Sequence, residues 1–273
     1  MRLPSLAALL VALAAAAAPA QTAGGYSAEP SKEAPDYSAT VAAQRPSPAF
    51  TQDRAFSGTR FWLLDPGRYE VEMWFSQKRK RDASRESLLQ AEIEIGLAPH
   101  LQIDLYQNFS TDNELSVEGQ QIELRYSFGL HYNDIPLNPV LYLEWHPRRA
   151  AQDRAEVRML FGGDAGKFLW ASNLFYEMNI DGFNAPNTEG KDIEVGISGA
   201  ASYGFGDFFR LGAEIKTGGD MHGGGALQPM LLLGPNALVK VQSLGLKLTA
   251  TFFFGVMDQD PKFYPLVIAG WQF

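Results

Sequence analysis

The chain has 273 residues, 46% apolar, 12% aromatic and 20% charged, with 26 glycines, 16 prolines and no cysteine. That apolar share excludes a disordered chain, and the missing cysteines exclude a disulfide scaffold, a thiolate metal site and a lipidated N-terminal cysteine. Twenty-three basic residues against 31 acidic ones give a net charge of -8, which argues against nucleic acid as a partner.

The first 20 residues, MRLPSLAALLVALAAAAAPA, carry one positive charge at Arg2, an apolar stretch from Leu6 to Ala18 and the small-x-small triplet Ala18-Pro19-Ala20. This is the pattern of a cleaved export signal over 1–20, which places the start of the mature chain at Gln21. The apolar run is short for a membrane-anchoring helix, and beyond it no run of about 18 apolar residues suits a transmembrane helix. Residues 21–56 are rich in Ala, Pro, Ser and Gly and have no sustained period. They read as a flexible periplasmic arm, with a plug folded back into a pore as the alternative.

From Gly67 to Phe273 the dominant period is two. Tyr69, Val71, Met73 and Phe75 alternate with Arg68, Glu70, Glu72 and Trp74. Leu89, Ala91, Ile93 and Ile95 then alternate with Gln90, Glu92 and Glu94, and Ile122, Leu124, Tyr126 and Phe128 with Gln121, Glu123, Arg125 and Ser127. Such alternation marks strands with one apolar and one polar face. Twelve segments carry it, with 10–14 strands compatible with the pattern. It is weakest over 139–146 and over 226–234, where Leu231-Leu232-Leu233 hides it. Longer connectors (78–87, 110–119, 147–153, 180–191, 217–225, 257–262) alternate with shorter ones, namely Ala98-Pro99, Gly162 to Gly166, Gly204-Phe205-Gly206 and Gly234-Pro235-Asn236. The connector 131–138 is an exception on the short side.

The apolar face supplies about forty side chains, more than the interior of a small barrel can hold. It carries no charge in the clear segments, as a lipid-facing wall requires. The expected fold is therefore all-β: an up-and-down antiparallel transmembrane β-barrel over 57–273 in the bacterial outer membrane. The alternating last strand ends with Trp271 and Phe273 on one face. This resembles the signal by which the barrel-assembly machinery receives outer-membrane proteins.

The polar face carries Glu70, Glu72, Glu92, Glu94, Asp104, Glu123, Glu144, Glu156, Glu177, Glu194 and Glu214 against Arg68, Arg125, Arg158, Arg210, Lys216 and Lys247. Eleven acids against six bases make a mildly acidic lumen. These charges either pair across strands as a structural network or line a watery path for small solutes. The four histidines, His100, His131, His146 and His222, form no His-x-Ser pairing. An outer-membrane lipid hydrolase is thus the weakest of three readings, behind a channel and a closed structural or surface-interaction barrel. Asp220 and His222 offer too few ligands for a metal, so neither metal nor cofactor is expected. The basic run Lys78-Arg79-Lys80-Arg81 suits contact with the phosphates of lipopolysaccharide and other outer-membrane lipids.

The segments Asp53-Arg54-Ala55-Phe56, Leu64-Asp65-Pro66-Gly67-Arg68-Tyr69-Glu70-Val71-Glu72 and Glu92-Ile93-Glu94-Ile95-Gly96-Leu97-Ala98-Pro99-His100-Leu101-Gln102-Ile103 resemble the start and the strand-turn-strand unit of the phenol-degradation (MetA-type) transporter family. Ala55 stands where that family often has Pro. The resemblance implies passage of small hydrophobic or polar compounds across the outer membrane.

Overall fold

A computed structural model describes residues 46–58, 60–111, 115–148, 152–180 and 192–273. The expected export signal and most of the arm, residues 1–45, lie outside the described residues.

Twelve strands are present among the described residues: β1 (Tyr69–Arg79), β2 (Arg85–Ala98), β3 (Leu101–Ser110), β4 (Ser116–Ser127), β5 (Val140–His146), β6 (Asp153–Ala165), β7 (Phe168–Ile180), β8 (Ile193–Gly204), β9 (Phe209–Met221), β10 (Gln228–Val241), β11 (Leu246–Gly255) and β12 (Tyr264–Gln272). Each pairs antiparallel with its sequence neighbours, and β12 pairs with β1, so the sheet is a closed barrel. Closure leaves no edge and satisfies every ladder amide internally, as hydrocarbon requires.

The period-two pattern maps onto the wall as expected. Phe75, Leu105, Ile122, Leu143, Leu174 and Phe254 are among the large apolar residues exposed on the outside. Their alternating neighbours, such as Glu70, Glu94 and Glu123, are buried inside. Aromatic pairs cluster at the rim where β1 begins and β12 ends: Tyr69 stacks on Phe273 at 5.6 Å, and Phe168 and Phe205 each meet Tyr203 at 5.0 Å. Such girdles mark the interfacial level of membrane barrels.

The connectors differ from the sequence reading in three places. The strands extend well into three of the six long connectors, 78–87, 110–119 and 217–225, so that β1 and β2 are joined by residues 80–84 alone. Gly162 to Ala165 belong to β6, leaving a tight turn at Gly166, whose φ of 64° suits glycine. Gly234-Pro235-Asn236 is not a turn but the middle of β10. Pro235 has no N–H to donate, and the β10–β11 ladder skips from Leu233 to Asn236. The real turn lies at Gln242–Leu244 and closes on left-handed Gly245.

Residues 46–56, assigned by composition to a flexible arm, lie inside the barrel. After a 3₁₀ turn at Ala49–Gln52, the chain passes through the lumen to Ser57 and Gly58 and returns to Asp65. Thr51, Arg54, Phe56, Arg60, Phe61, Trp62, Leu63 and Leu64 are all buried. The barrel wall supplies the apolar and charged partners that a short Ala/Pro/Ser-rich segment cannot supply for itself.

Candidate functional site

The lumen wall is two-sided, and the segment 46–66 matches both sides. On β5, β6, β7 and β10 the inward residues Val140, Tyr142, Leu160, Leu169, Ala171 and Leu238 form one apolar cluster with Ala55, Phe56, Phe61, Trp62 and Leu63 of the segment. On β1–β4 the inward residues are acidic and meet the segment's arginines. Arg54 pairs with Glu72 at 2.7 Å, with Glu92 at 3.4 Å and with Glu94. Arg60 pairs with Glu70 and Glu94, each at 2.7 Å. Burial opposes the charge on both guanidinium groups, but the surrounding carboxylates outweigh it and hold both pKa values above the ordinary arginine range. Removing one partner from such a buried network costs about 3–5 kcal/mol, because the other charge is left uncompensated.

The tip and flanks of the segment are tied as firmly. The Glu214 carboxylate accepts from the Ser57 amide at 2.8 Å, the Gly58 amide at 3.0 Å and Asn236 Nδ2 at 2.9 Å, as well as from the Thr251 hydroxyl. Asp53 receives Lys240 at 2.8 Å, and Lys247 bridges the Gln52 carbonyl at 2.7 Å and Glu70 at 3.2 Å. Leu64 donates its amide to Gln102 Oε1 at 2.7 Å. Two glycines admit the segment. A Cβ on Gly96 would come within 2.3 Å of the Asp65 carbonyl oxygen, and one on Gly162 within 2.3 Å of the Phe61 ring.

Eight of the eleven sequence-predicted acids form one row. Glu70 faces Glu94, Glu94 faces Asp104, Asp104 faces Glu123, Glu123 faces Glu144 and Glu144 faces Glu156. The row continues through Glu177 and Glu194 to Asp220. One carboxylate per strand thus runs in register from β1 to β9. Because barrel strands tilt by about 40° and lie about 4.8 Å apart, eight such steps climb about 25 Å, the height of the apolar band. Bases accompany most rungs: Arg125 at Asp104 and Glu123, Arg158 at Glu156, Arg154 at Glu177 and Lys216 at Glu194. The Tyr106 and Tyr142 hydroxyls donate to Glu123 and Glu144, and His146 also meets Glu144.

Glu72 and Glu92 lie one inward position along their strands from the row and face each other. Arg210 stands apart, donating to Ser202 Oγ at 3.1 Å and to the Lys167 carbonyl at 2.9 Å near the rim where β1 begins and β12 ends. The lower rungs, Glu70 to Glu123, are sealed beneath the segment. Glu177 and Glu194, with side chains 14% and 24% exposed, are the less buried rungs towards the opposite rim, where they pair with Arg154 and Lys216. Carboxylate oxygens of Glu70, Glu72 and Glu94, and of Glu92, Glu94 and Asp104, lie within 4.8 Å of one another, but Arg54, Arg60 and Arg125 thread among them. His131 and His222 meet Asp134 and Asp192 at 3.3 and 3.4 Å in connectors, while His100 meets the Tyr126 ring.

Sequence reasoning missed Asp53, Arg54, Arg60, Trp74, Arg154 and Asp220 as members of this network. A signal for the first three was present: Phe61-Trp62-Leu63-Leu64, which follows the arm and precedes β1, is too apolar for a solvated connector.

No protein-family model and no curated protein matches the chain. Among solved structures it is similar to the COG4313 outer membrane channel from Pseudomonas putida F1, with a TM-score of 0.52 and 11% identity over 78% of this chain and 98% of that one. It is similar to the NanC porin (0.51, 9%, 74% and 97%) and to the translocator domain of the autotransporter NalP from Neisseria meningitidis (0.52, 13%, 87% and 98%). The shared feature is the fold of bacterial outer-membrane barrels, and the exposed apolar outer wall places this chain in the same membrane.

Proposed function

We propose that the protein is an outer-membrane channel for small solutes, with a mildly acidic lumen that the segment 46–66 occludes between passages. The carrying observation is the in-register row of carboxylates from Glu70 to Asp220. A wall that only needs filling is filled more cheaply by apolar side chains, since buried ion pairs are often matched or bettered by them. A charged row along the full height suits a path for water and polar or charged solutes. Two of the neighbours are a porin and an outer membrane channel, which supports the same reading. The resemblance to the phenol-degradation transporter family extends the candidates to small hydrophobic compounds. Each histidine has a carboxylate or ring neighbour, which fits lumen, rim and connector roles rather than those of a hydrolase.

The depth at which Phe56 and Arg60 are buried, each 1% exposed, favours a second reading: a closed barrel with functional surface loops. Planar-bilayer recordings separate the two. The channel reading expects cation-selective openings, and Glu177→Gln with Glu194→Gln at the less buried end of the row moves the reversal potential towards that of a non-selective pore. Absence of conductance and of liposome swelling, in both the parent and a variant with the segment unseated, would leave the closed barrel standing.

A further inference from the structure

We propose that the inner wall around Trp74, Glu72, Glu92 and Glu94 is a receptor for small organic cations, guanidinium or alkylammonium, and that Arg54 holds the seat while the barrel is plugged. The inference rests on the channel reading in one respect: the seat empties only when the segment withdraws.

Arg54 is not part of the wall. It arrives on the lumenal segment, and its guanidinium carbon lies 4.6 Å from the centre of the Trp74 ring while its nitrogens face three carboxylates. An aromatic face opposite carboxylates is how proteins recognise organic cations, and a guanidinium plane suits it well. The wall side is organised without Arg54, because Trp74 Nε1 donates to Glu72 Oε2 at 2.9 Å and so fixes the ring. The seat also offers more than Arg54 uses. Glu92 is 2% exposed, its Oε2 has no hydrogen-bond partner, and its contact with Arg54 is a long 3.4 Å. A primary ammonium with three donors, or a guanidinium free of a tether, can reach this oxygen. Withdrawal of Arg54 alone would leave buried carboxylates uncompensated, so a solute cation entering the seat makes withdrawal easier. Trp74 favours an organic cation over a hydrated metal ion.

The test titrates the full-length Arg54→Ala protein in detergent with methylguanidinium, with calcium as the comparator, by calorimetry. The expected result is binding at least tenfold tighter than to the parent, with calcium weaker than methylguanidinium. Adding Trp74→Ala removes that gain, while Trp74→Phe retains most of it; a mere hole left by the arginine would be indifferent to both. No binding to Arg54→Ala, binding unchanged by Trp74→Ala, or calcium binding as tightly would each overturn the proposal. If Arg54→Ala does not fold, Gly162→Val, which displaces the segment without touching the seat, takes the same titration with the same expected gain. Bilayer recordings keep the two readings apart: binding without conductance sinks the channel and spares the receptor, whereas conductance without binding sinks the receptor alone.

Discussion

Phe61 occupies the space in which a side chain at position 162 would stand: a Cβ built on Gly162 lies 2.3 Å from the Phe61 ring and 2.6 Å from its Cβ. Both residues are buried, and the aromatic root of Phe61, unlike the end of a long side chain, cannot swing aside. Gly162→Val should therefore unseat the segment 46–66 while leaving β6 a sound strand, since valine favours strands. Overpacking costs about 1–3 kcal/mol, and here the segment yields rather than the wall. The expected outcome is a barrel that still resists heat in detergent, opens more often in bilayers and is cleaved by trypsin at Arg54 and Arg60. Unchanged trypsin resistance and unchanged conductance would show that the segment tolerates the methyls.

The absence of native cysteine makes the converse experiment clean. A Cβ on Gly58 lies 3.9 Å from Ser198 Oγ, close to the reach of a disulfide. Gly58→Cys with Ser198→Cys, once oxidised, should lock the tip of the segment to β8 and abolish openings, with reduction restoring them. Full conductance in the oxidised, verified disulfide would mean that solute passes beside the segment rather than through the space it fills.

Glu214 holds that tip by accepting from two backbone amides, Asn236 and Thr251. Glu214→Ala leaves those donors buried without an acceptor, at about 1–3 kcal/mol for each that stays dry. Amide hydrogen exchange at Ser57 and Gly58 should rise by at least tenfold, while exchange in β1 and β2 stays at the parent level. Glu214→Gln keeps one acceptor oxygen and should fall between the two. Equal exchange in all three proteins would assign the tip's order to the apolar cluster around Phe56 instead.

The parts of this molecule legible in its sequence are those where the two faces of a strand meet different media. β1 to β4 meet lipid outside and charge inside, so Glu70, Glu94, Asp104 and Glu123 announced both strand and facing. The blurred segments have a physical cause. Val140, Tyr142 and Leu238 point inward yet are apolar, because they line the side of the lumen that receives Phe61 and Trp62. Lipid outside and an apolar segment inside erase the alternation over 139–146. In β10 the punctuation of Gly234-Pro235 read as a turn, although a closed barrel can hold a proline where one ladder bond is given up. The segment itself was hidden by its composition: its burial depends on arginines whose carboxylate partners lie between 10 and 40 residues away, and no local period records that. The in-register acid row was legible residue by residue but not as a row, since register between strands is not written in either strand alone.

The last residue closes the barrel. Phe273 and Tyr69 exchange backbone hydrogen bonds at 2.8 and 3.3 Å, and their rings stack at 5.6 Å, while Trp271 is paired with Val71 one step in. If the terminal ring is also read by the barrel-assembly machinery, its two roles can be separated. Phe273→Ala and Tyr69→Ala each remove the same stacking contact, worth about 0.5–1.5 kcal/mol beyond the area it buries. Only the first removes the terminal aromatic. The two variants should therefore unfold in urea at similar midpoints once folded, whereas Phe273→Ala alone should assemble slowly in cells, seen as a smaller fraction of heat-modifiable barrel in outer-membrane preparations. Equal assembly defects in both would assign the terminal ring to β1–β12 closure and leave recognition to residues upstream.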